Sequence, residues 1–137
     1  MEFIGAGAFY GTKISSGFVE KHIRDKDIVS FVIEEGVGQI GDYTFLGAEN
    51  LKSVHIPSTV YHITEKAFYG CNNLETVTIS QDNPCFTIED GIIYNKNKTI
   101  LIRCLPGKNT KVEIPNTVTE IEEYAFMGCS KLKGTLT

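Results

Sequence analysis

Four cysteines and three histidines are the residues of this 137-residue chain whose types could bind a metal or carry covalent chemistry. No two cysteines form a Cys-x-x-Cys pair, and no histidine lies at ligand spacing from a cysteine. Structural zinc sites and redox motifs depend on such spacings. The sequence therefore predicts no metal site and no cofactor. It predicts free thiols in the isolated domain at Cys71, Cys85, Cys104 and Cys129.

Catalysis by a serine or cysteine nucleophile needs a base within hydrogen-bond reach, and nothing in the spacing brings such a pair together. The histidines are His22, His55 and His62, with His55 at an outward strand position and His62 in a turn. The acidic pairs are Asp25 with Asp27, Glu34 with Glu35, and Glu122 with Glu123. A sugar-cleaving pair would need a cleft between its carboxylates. We predict no catalytic residue and no enzyme, with a carbohydrate-acting enzyme as a remote alternative.

Composition and charge restrict the classes of partner. The chain is 42% hydrophobic and 22% charged, with a formal charge of −4 and no cluster of basic residues. These features disfavour nucleic acid as a partner. The apolar runs are too short for membrane insertion, and the first residues do not resemble a signal peptide. The length suits one domain, which we place at residues 1–137.

A pattern of Ile, four residues, Phe, one residue and Gly recurs along the chain. Its copies are Ile4–Gly11, Ile40–Gly47, Ile63–Gly70 and Ile121–Gly128. The residue before each Phe is small, and a Leu-x-x-Val-x-Ile stretch follows two of the copies, at 51–56 and 74–79. The central period is 23 residues, measured from Phe45 to Phe68. This value lies within the range of about 20–29 residues of leucine-rich repeats.

Each repeat predicts one short strand that turns Val and Ile toward a core, with Pro57 and Pro115 ending the strands. Stacked repeats should form a curved parallel sheet and a buried column of Phe side chains. A tight return predicts a positive φ at Gly47, Gly70 and Gly128. The residues expected to be buried are Phe45, Phe68, Phe126, Ile40, Ile63, Ile121, Leu51 and Leu74.

The runs Ile56-Pro-Ser-Thr-Val and Ala67-Phe-Tyr-Gly-Cys-Asn-Asn-Leu74, with their counterparts near the C-terminus, resemble the BspA-like class of leucine-rich repeats. The resemblance covers residues 28–132. It implies a right-handed leucine-rich-repeat solenoid, either α/β or mostly β. It also implies a modular protein at the cell surface, or a secreted one, that adheres to proteins of a host or a neighbouring cell.

Two segments interrupt the repeat. A short amphipathic helix is predicted at about 14–26, where Phe18, Val19, His22 and Ile23 share one face. A β-hairpin is predicted at about 84–106, because two β-rich runs flank the polar turn at 95–98. The hairpin resembles an insertion that recurs in the same family. Cys85 and Cys104 flank it, so the sequence leaves that one disulfide pairing open.

The function predicted is a protein-binding or adhesion scaffold that uses the concave face of the sheet. The outward residues assigned to this face are Ser53, His55, Thr76, Thr78, Lys111 and Glu113. They are small and polar and include no aromatic anchor. A purely structural spacer that carries another module therefore stays open. Both ends of the chain enter or leave in mid-repeat, which predicts a segment of a longer protein, or self-association through uncapped ends.

Overall fold

The computed structural model describes residues 2–3, 13–14, 28–108 and 111–132. Within these residues the protein is a mostly β solenoid, whose successive turns stack strand upon strand. The strands are β1 (Glu2–Phe3), β2 (Lys13–Ile14), β3 (Ser30–Val32), β4 (Gln39–Ile40), β5 (Ser53–Ile56), β6 (His62–Ile63), β7 (Thr76–Ile79), β8 (Phe86–Glu89), β9 (Ile92–Asn95), β10 (Ile100–Cys104) and β11 (Glu120–Ile121).

Two parallel sheets run along the solenoid. The first contains strands β1, β3, β5 and β7 in that order, and the second contains β2, β4 and β6. Phe31 pairs with Val54 and Val54 with Val77, so the register advances by one period of 23 residues per turn. The predicted parallel sheet and repeat length are confirmed. The prediction of one strand per repeat is wrong, because the chain becomes extended again at β4 and β6, after the turn that ends the first strand of the repeat, and pairs a second time.

The inserted segment forms an antiparallel sheet. Strands β8, β9 and β10 follow one another as a meander, and β11 of the last repeat adds to β10 in parallel. The predicted hairpin strands correspond to β9 and β10, and β8 is a third strand that the sequence pattern did not indicate. Of the helix predicted at about 14–26, Ile14 lies in β2 and the remainder lies outside the described residues.

The buried side chains form two separate clusters. The larger one fills the turns from Ile28 to Val77, where it includes Phe31, Phe45 and Phe68. It also extends into the inserted segment, through Phe86, Ile93, Ile102 and Leu105. Phe45 and Phe68 stack with ring centroids 5.8 Å apart. The smaller cluster lies between β9, β10 and the last repeat. Phe126 therefore does not continue the stack of Phe45 and Phe68, and packs at the margin of the smaller cluster.

Most residues predicted to be buried are buried. Ile40, Phe45, Leu51, Ile63, Phe68 and Leu74 all lie in the larger cluster. The prediction for Ile121 is wrong, since 46% of this residue is exposed, and Phe126 is only half-buried. Strand β11 pairs along one edge with β10, and no other described strand covers its second edge.

The predicted glycine conformation is confirmed. Gly47 and Gly70 both have φ of 92°, and Gly128 has φ of 78°. Each closes the corner that follows the Phe of its repeat, in the left-handed region where a Cβ atom would be strained.

Candidate binding surface

The outward side of the first sheet carries four of the six predicted binding residues. Ser53 and His55 lie on β5, and Thr76 and Thr78 lie beside them on β7. Thr76 and Thr78 are exposed, and Ser53 and His55 are partly exposed. Alternation along a strand explains this placement, because the intervening Val and Ile side chains point into the core.

These outward side chains hydrogen bond to one another across the strands. The Ser53 hydroxyl donates to the hydroxyl of Ser30 at 3.1 Å. The Nδ1 atom of His55 and the Thr78 hydroxyl lie 2.8 Å apart. Residues one repeat apart therefore form short polar rows along the solenoid. Such rows can offer donors and acceptors to a flat partner surface.

Lys111 and Glu113 do not join this face. Both side chains are exposed and flank the buried Val112, as the alternation predicted. However, residues 111–115 form no strand. The inserted segment returns to the third repeat at Leu74, whose carbonyl accepts from the amide of Gly107 at 2.7 Å. Their predicted position on the sheet is wrong, because the insertion displaces this stretch from the register of β7.

A groove of about 860 Å³ separates the third repeat from the last one. Five carboxylates line it, those of Asp42, Glu65, Glu120, Glu122 and Glu123. Tyr61 and His62 line it as well. His62 lies on strand β6 and not in the turn that the sequence predicted.

Arg103 forms part of the wall of this groove, although only 3% of the residue is exposed. Its Nη2 donates to the carbonyl of Thr64 at 2.9 Å, and its Nη1 lies 3.7 Å from a Glu122 carboxylate oxygen. Burial lowers the pKa of Arg103, and Glu122 opposes that shift. The guanidinium thus links the insertion to both flanking repeats. Sequence reasoning missed it, although a lone Arg within the run Ile100-Leu-Ile-Arg-Cys104 was a usable signal.

Asp42 is a groove carboxylate that accepts two hydrogen bonds from the neighbouring turn. The Thr64 hydroxyl donates to its Oδ1 atom at 2.7 Å, and the Lys66 amide donates to the same atom at 3.2 Å. The Thr64 hydrogen bond, opposed by burial and aided by Lys66, lowers the pKa of this carboxyl. A carboxylate bound in this way connects neighbouring turns of the solenoid.

Exposed aromatic side chains lie away from the predicted face. Tyr61 and Tyr69 are 54% and 52% exposed, and Tyr124 is also exposed. Tyr69 contacts Tyr43 edge to face, with centroids 5.4 Å apart. Tyr69 directly follows the Phe of its repeat, a position that the sequence pattern left unassigned. The aromatic anchors that the outward face lacks are therefore present at the corners of the solenoid.

Metal-binding side chains do not cluster within the described residues. Among them, no set of three or more His, Cys, Asp or Glu side chains is placed to hold a metal ion. The same part of the chain contains no helix that is long and apolar enough to cross a bilayer. His22, Asp25 and Asp27 lie outside the described residues.

The repeat geometry agrees with a known family. The family model described as a BspA-type leucine-rich repeat region matches residues 20–108 and 103–136, with six copies. The chain belongs to this family. The match spans the parallel turns, the inserted sheet and the last repeat, so the insertion is flanked on both sides by BspA-type repeats.

Solved structures show the same fold. A leucine-rich repeat protein from Eubacterium ventriosum is 29% identical with a TM-score of 0.70, covering 98% of this chain and 38% of that one. The pneumococcal vaccine antigen PcpA is 20% identical with a TM-score of 0.63, covering 88% and 35% of the two chains. A leucine-rich cell surface protein from Faecalibacterium prausnitzii is 24% identical with a TM-score of 0.52, covering 87% and 37%.

The chain thus spans less than two-fifths of each of these structures. No curated protein matches it. The family model shows the BspA-type repeat, and two of the similar structures are named as leucine-rich proteins of bacteria.

Proposed function

We propose that this BspA-type segment is a non-enzymatic protein-binding scaffold in a bacterial cell-surface or secreted protein. The observation that carries the proposal is the outward side of the first sheet, where polar side chains repeat in register from one turn to the next. A surface that repeats in this way matches an extended partner through many modest contacts. Its partner would be a protein on a host or neighbouring cell.

The similar structures support the proposed location. One of them is named as a cell surface protein and another as a vaccine antigen. A scaffold at the cell surface meets its ligand from solution, and this suits a face of small, solvated side chains. The residues proposed to contact the ligand are Ser53, His55, Thr76 and Thr78, which lie on the adjacent strands β5 and β7.

A structural spacer is the second candidate, and one observation favours it. Ser53 bonds to Ser30 and His55 to Thr78, so these polar groups partly satisfy one another without a ligand. A spacer needs only such internal bonds. Binding hot spots are enriched in Trp, Tyr and Arg, and the outward face described here contains none of them.

The test is direct binding of the purified protein to intact epithelial and bacterial cells and to extracellular-matrix glycoproteins, measured by flow cytometry and biolayer interferometry. The paired substitutions Thr76→Arg and Thr78→Arg place two bulky charges on the exposed face of β7. We expect them to weaken binding at least about tenfold, since a poorly matched charge costs more than about 1.4 kcal/mol at an interface.

Asn97→Ala is the control, because Asn97 is exposed in the turn of the inserted hairpin. It should leave binding unchanged. If the protein binds none of these surfaces, or binds them equally well with both arginines present, the outward face is not the binding site and the spacer function is favoured.

A further inference from the structure

Cys104 and Cys129 come together where the inserted sheet meets the last repeat. The amide of Cys104 donates to the carbonyl of Ala125 at 2.7 Å, which joins β10 to the repeat that carries Cys129. The Cys129 thiol lies 3.2 Å from the carbonyl oxygen of Cys104 and donates to it. The two side chains are also close enough for each thiol to shift the pKa of the other. Cys104 belongs to the smaller core cluster, and the partly buried Cys129 packs against it.

The equivalent cysteine of the third repeat behaves differently. Cys71 follows the same Phe-x-Gly motif as Cys129, but its thiol donates to the carbonyl of Phe68 at 2.8 Å, within its own turn. Cys71 is fully buried, and burial raises the pKa of its thiol to about 12. The approach of the Cys129 thiol to Cys104 therefore arises from the insertion and not from the repeat motif itself.

The two thiols of the pair differ in accessibility. Cys129 is partly exposed, whereas only 1% of Cys104 is exposed. The interaction with the Cys104 side chain lowers the pKa of Cys129, and the interaction with Cys129 together with burial raises the pKa of Cys104. The attacking species in thiol chemistry is the thiolate. Cys129 is thus suited to react first with an external reagent, and Cys104 to react second.

We propose that Cys104 and Cys129 form a reversible disulfide by exchange with a low-molecular-weight disulfide. The Cys129 thiolate attacks one sulfur of the reagent, forms a mixed disulfide and releases one small thiolate. Cys104 then gives up its proton and attacks the Cys129 sulfur, which forms the protein disulfide and releases the second small thiolate. The protein loses two electrons and two protons, and one reagent disulfide becomes two thiols.

The bond would fasten the last repeat to the inserted sheet. It closes a loop from residue 104 to residue 129 across the smaller core cluster, and such a cross-link restricts the unfolded chain. The inference is independent of the ligand of the proposed scaffold. It also differs from the pairing that the sequence left open, because the partner of Cys104 is Cys129 and not Cys85.

The experiment exposes the fully reduced, folded protein to oxidised glutathione at pH about 8. Free thiols are then alkylated, and the protein is digested without reduction for mass spectrometry. We expect one cross-linked pair of peptides containing Cys104 and Cys129, with two of the four free thiols left to react after unfolding. The midpoint of thermal unfolding should rise, and dithiothreitol should restore the original value.

Two variants separate the steps. Cys104→Ser should stop at glutathione attached to Cys129, while Cys85→Ser should form the cross-link as the unaltered protein does. A stable mixed disulfide on the unaltered protein, four thiols left free, or a link from Cys104 to Cys85 would each overturn the proposal. Because the peptide map of the unaltered protein gives a result by itself, poor folding of Cys104→Ser does not weaken the test.

Discussion

At the scale of the residue, the same motif position has different surroundings in different repeats. Ile63 is 5% exposed and Ile121 is 46% exposed, although each precedes its Phe by five residues. Phe68 stacks on Phe45, and Phe126 is half-buried in the smaller cluster. The neighbours of a residue, and not its motif, set how much its side chain stabilises the fold.

The first prediction compares these two Phe positions. Phe68→Ala should lower the free energy of unfolding by about 3–5 kcal/mol, the usual cost of removing a large aromatic from a packed core. Phe126→Ala should cost about 1–2 kcal/mol, because less of the apolar surface of this side chain is buried than in Phe68. Urea unfolding followed by circular dichroism measures both. Equal costs would show that the last repeat is packed as tightly as the third.

A second prediction concerns acid stability. The Thr64 hydroxyl lowers the pKa of Asp42 in the folded state, below its ordinary value of 3.8. The carboxylate therefore stabilises the fold above that value, and its contribution is lost as pH falls through the lowered pKa. Asp42→Asn should be less stable than the unaltered protein near neutral pH, and the gap should close in strong acid.

Unfolding midpoints in urea from pH about 7 to about 2.5 would test this. Asp82→Asn is the matched control, because Asp82 is exposed in a surface turn. Its midpoint should follow that of the unaltered protein at every pH. A gap for Asp42→Asn that persists unchanged at the lowest pH would contradict the prediction.

At the scale of the element, the parallel strands were predictable and the inserted strands only partly so. A fixed spacing of 23 residues places Phe31, Val54 and Val77 in register, and this periodicity is visible in the sequence. Strand β8 depends on Asn83, a fully buried side chain. Its amide nitrogen donates to the carbonyls of Pro57 and Val60, and its oxygen accepts from the amide of Phe86. A single Asn between Asp82 and Pro84 gives no sequence signal of such a role.

The candidate site was predictable only where the repeat continues. Alternation along β5 and β7 correctly indicated which side chains face outward. The positions of Lys111 and Glu113, the contact of Arg103 with Thr64, and the approach of Cys104 to Cys129 all depend on how the insertion returns to the solenoid. Such long-range packing has no local periodicity from which it could be inferred.

The third prediction tests the point where the insertion returns to the solenoid, at the contact of Gly107 with Leu74. A Cβ atom added to Gly107 would lie 2.4 Å from the carbonyl oxygen of Leu74, closer than atoms tolerate, so the backbone must shift. Gly107→Ala should therefore cost about 3 kcal/mol, the upper range for overpacked sites. Gly128→Ala meets no neighbour within 4 Å and should cost about 1–2 kcal/mol, from its positive φ alone. Urea unfolding should rank the variants in this order, and the reverse ranking would contradict the close approach.

At the scale of the whole molecule, the solenoid has two core clusters that differ in the number of side chains they bury. Among the described residues, the larger cluster contains 22 buried side chains and the smaller one contains six. Buried apolar area is the main source of stability, and segments with less of it open more readily. The insertion connects the two parts through Arg103 and through the bond from Gly107 to Leu74.

The last prediction follows from this asymmetry. Native-state hydrogen exchange should show amides of residues 111–132 exchanging at least about tenfold faster than those of β5 and β7, a difference of about 1.4 kcal/mol in opening free energy. Arg103→Met should widen the difference. Methionine fills a similar volume, but it leaves the carbonyls of Thr64 and Ile102 without the donors that Arg103 provides.

Removing a buried charge is favourable in itself, and this opposes the loss of those hydrogen bonds. The bonds should dominate, because the buried carbonyl of Ile102 and the partly buried carbonyl of Thr64 lose a charged donor while Glu122 keeps access to water. Lys98→Met removes the partly exposed ion pair with Glu89 and serves as the control, with no change expected in residues 111–132. Equal exchange in all repeats would mean that the solenoid unfolds as one unit. If Arg103→Met also speeds exchange in β5 and β7, Arg103 stabilises the whole molecule and not the junction alone.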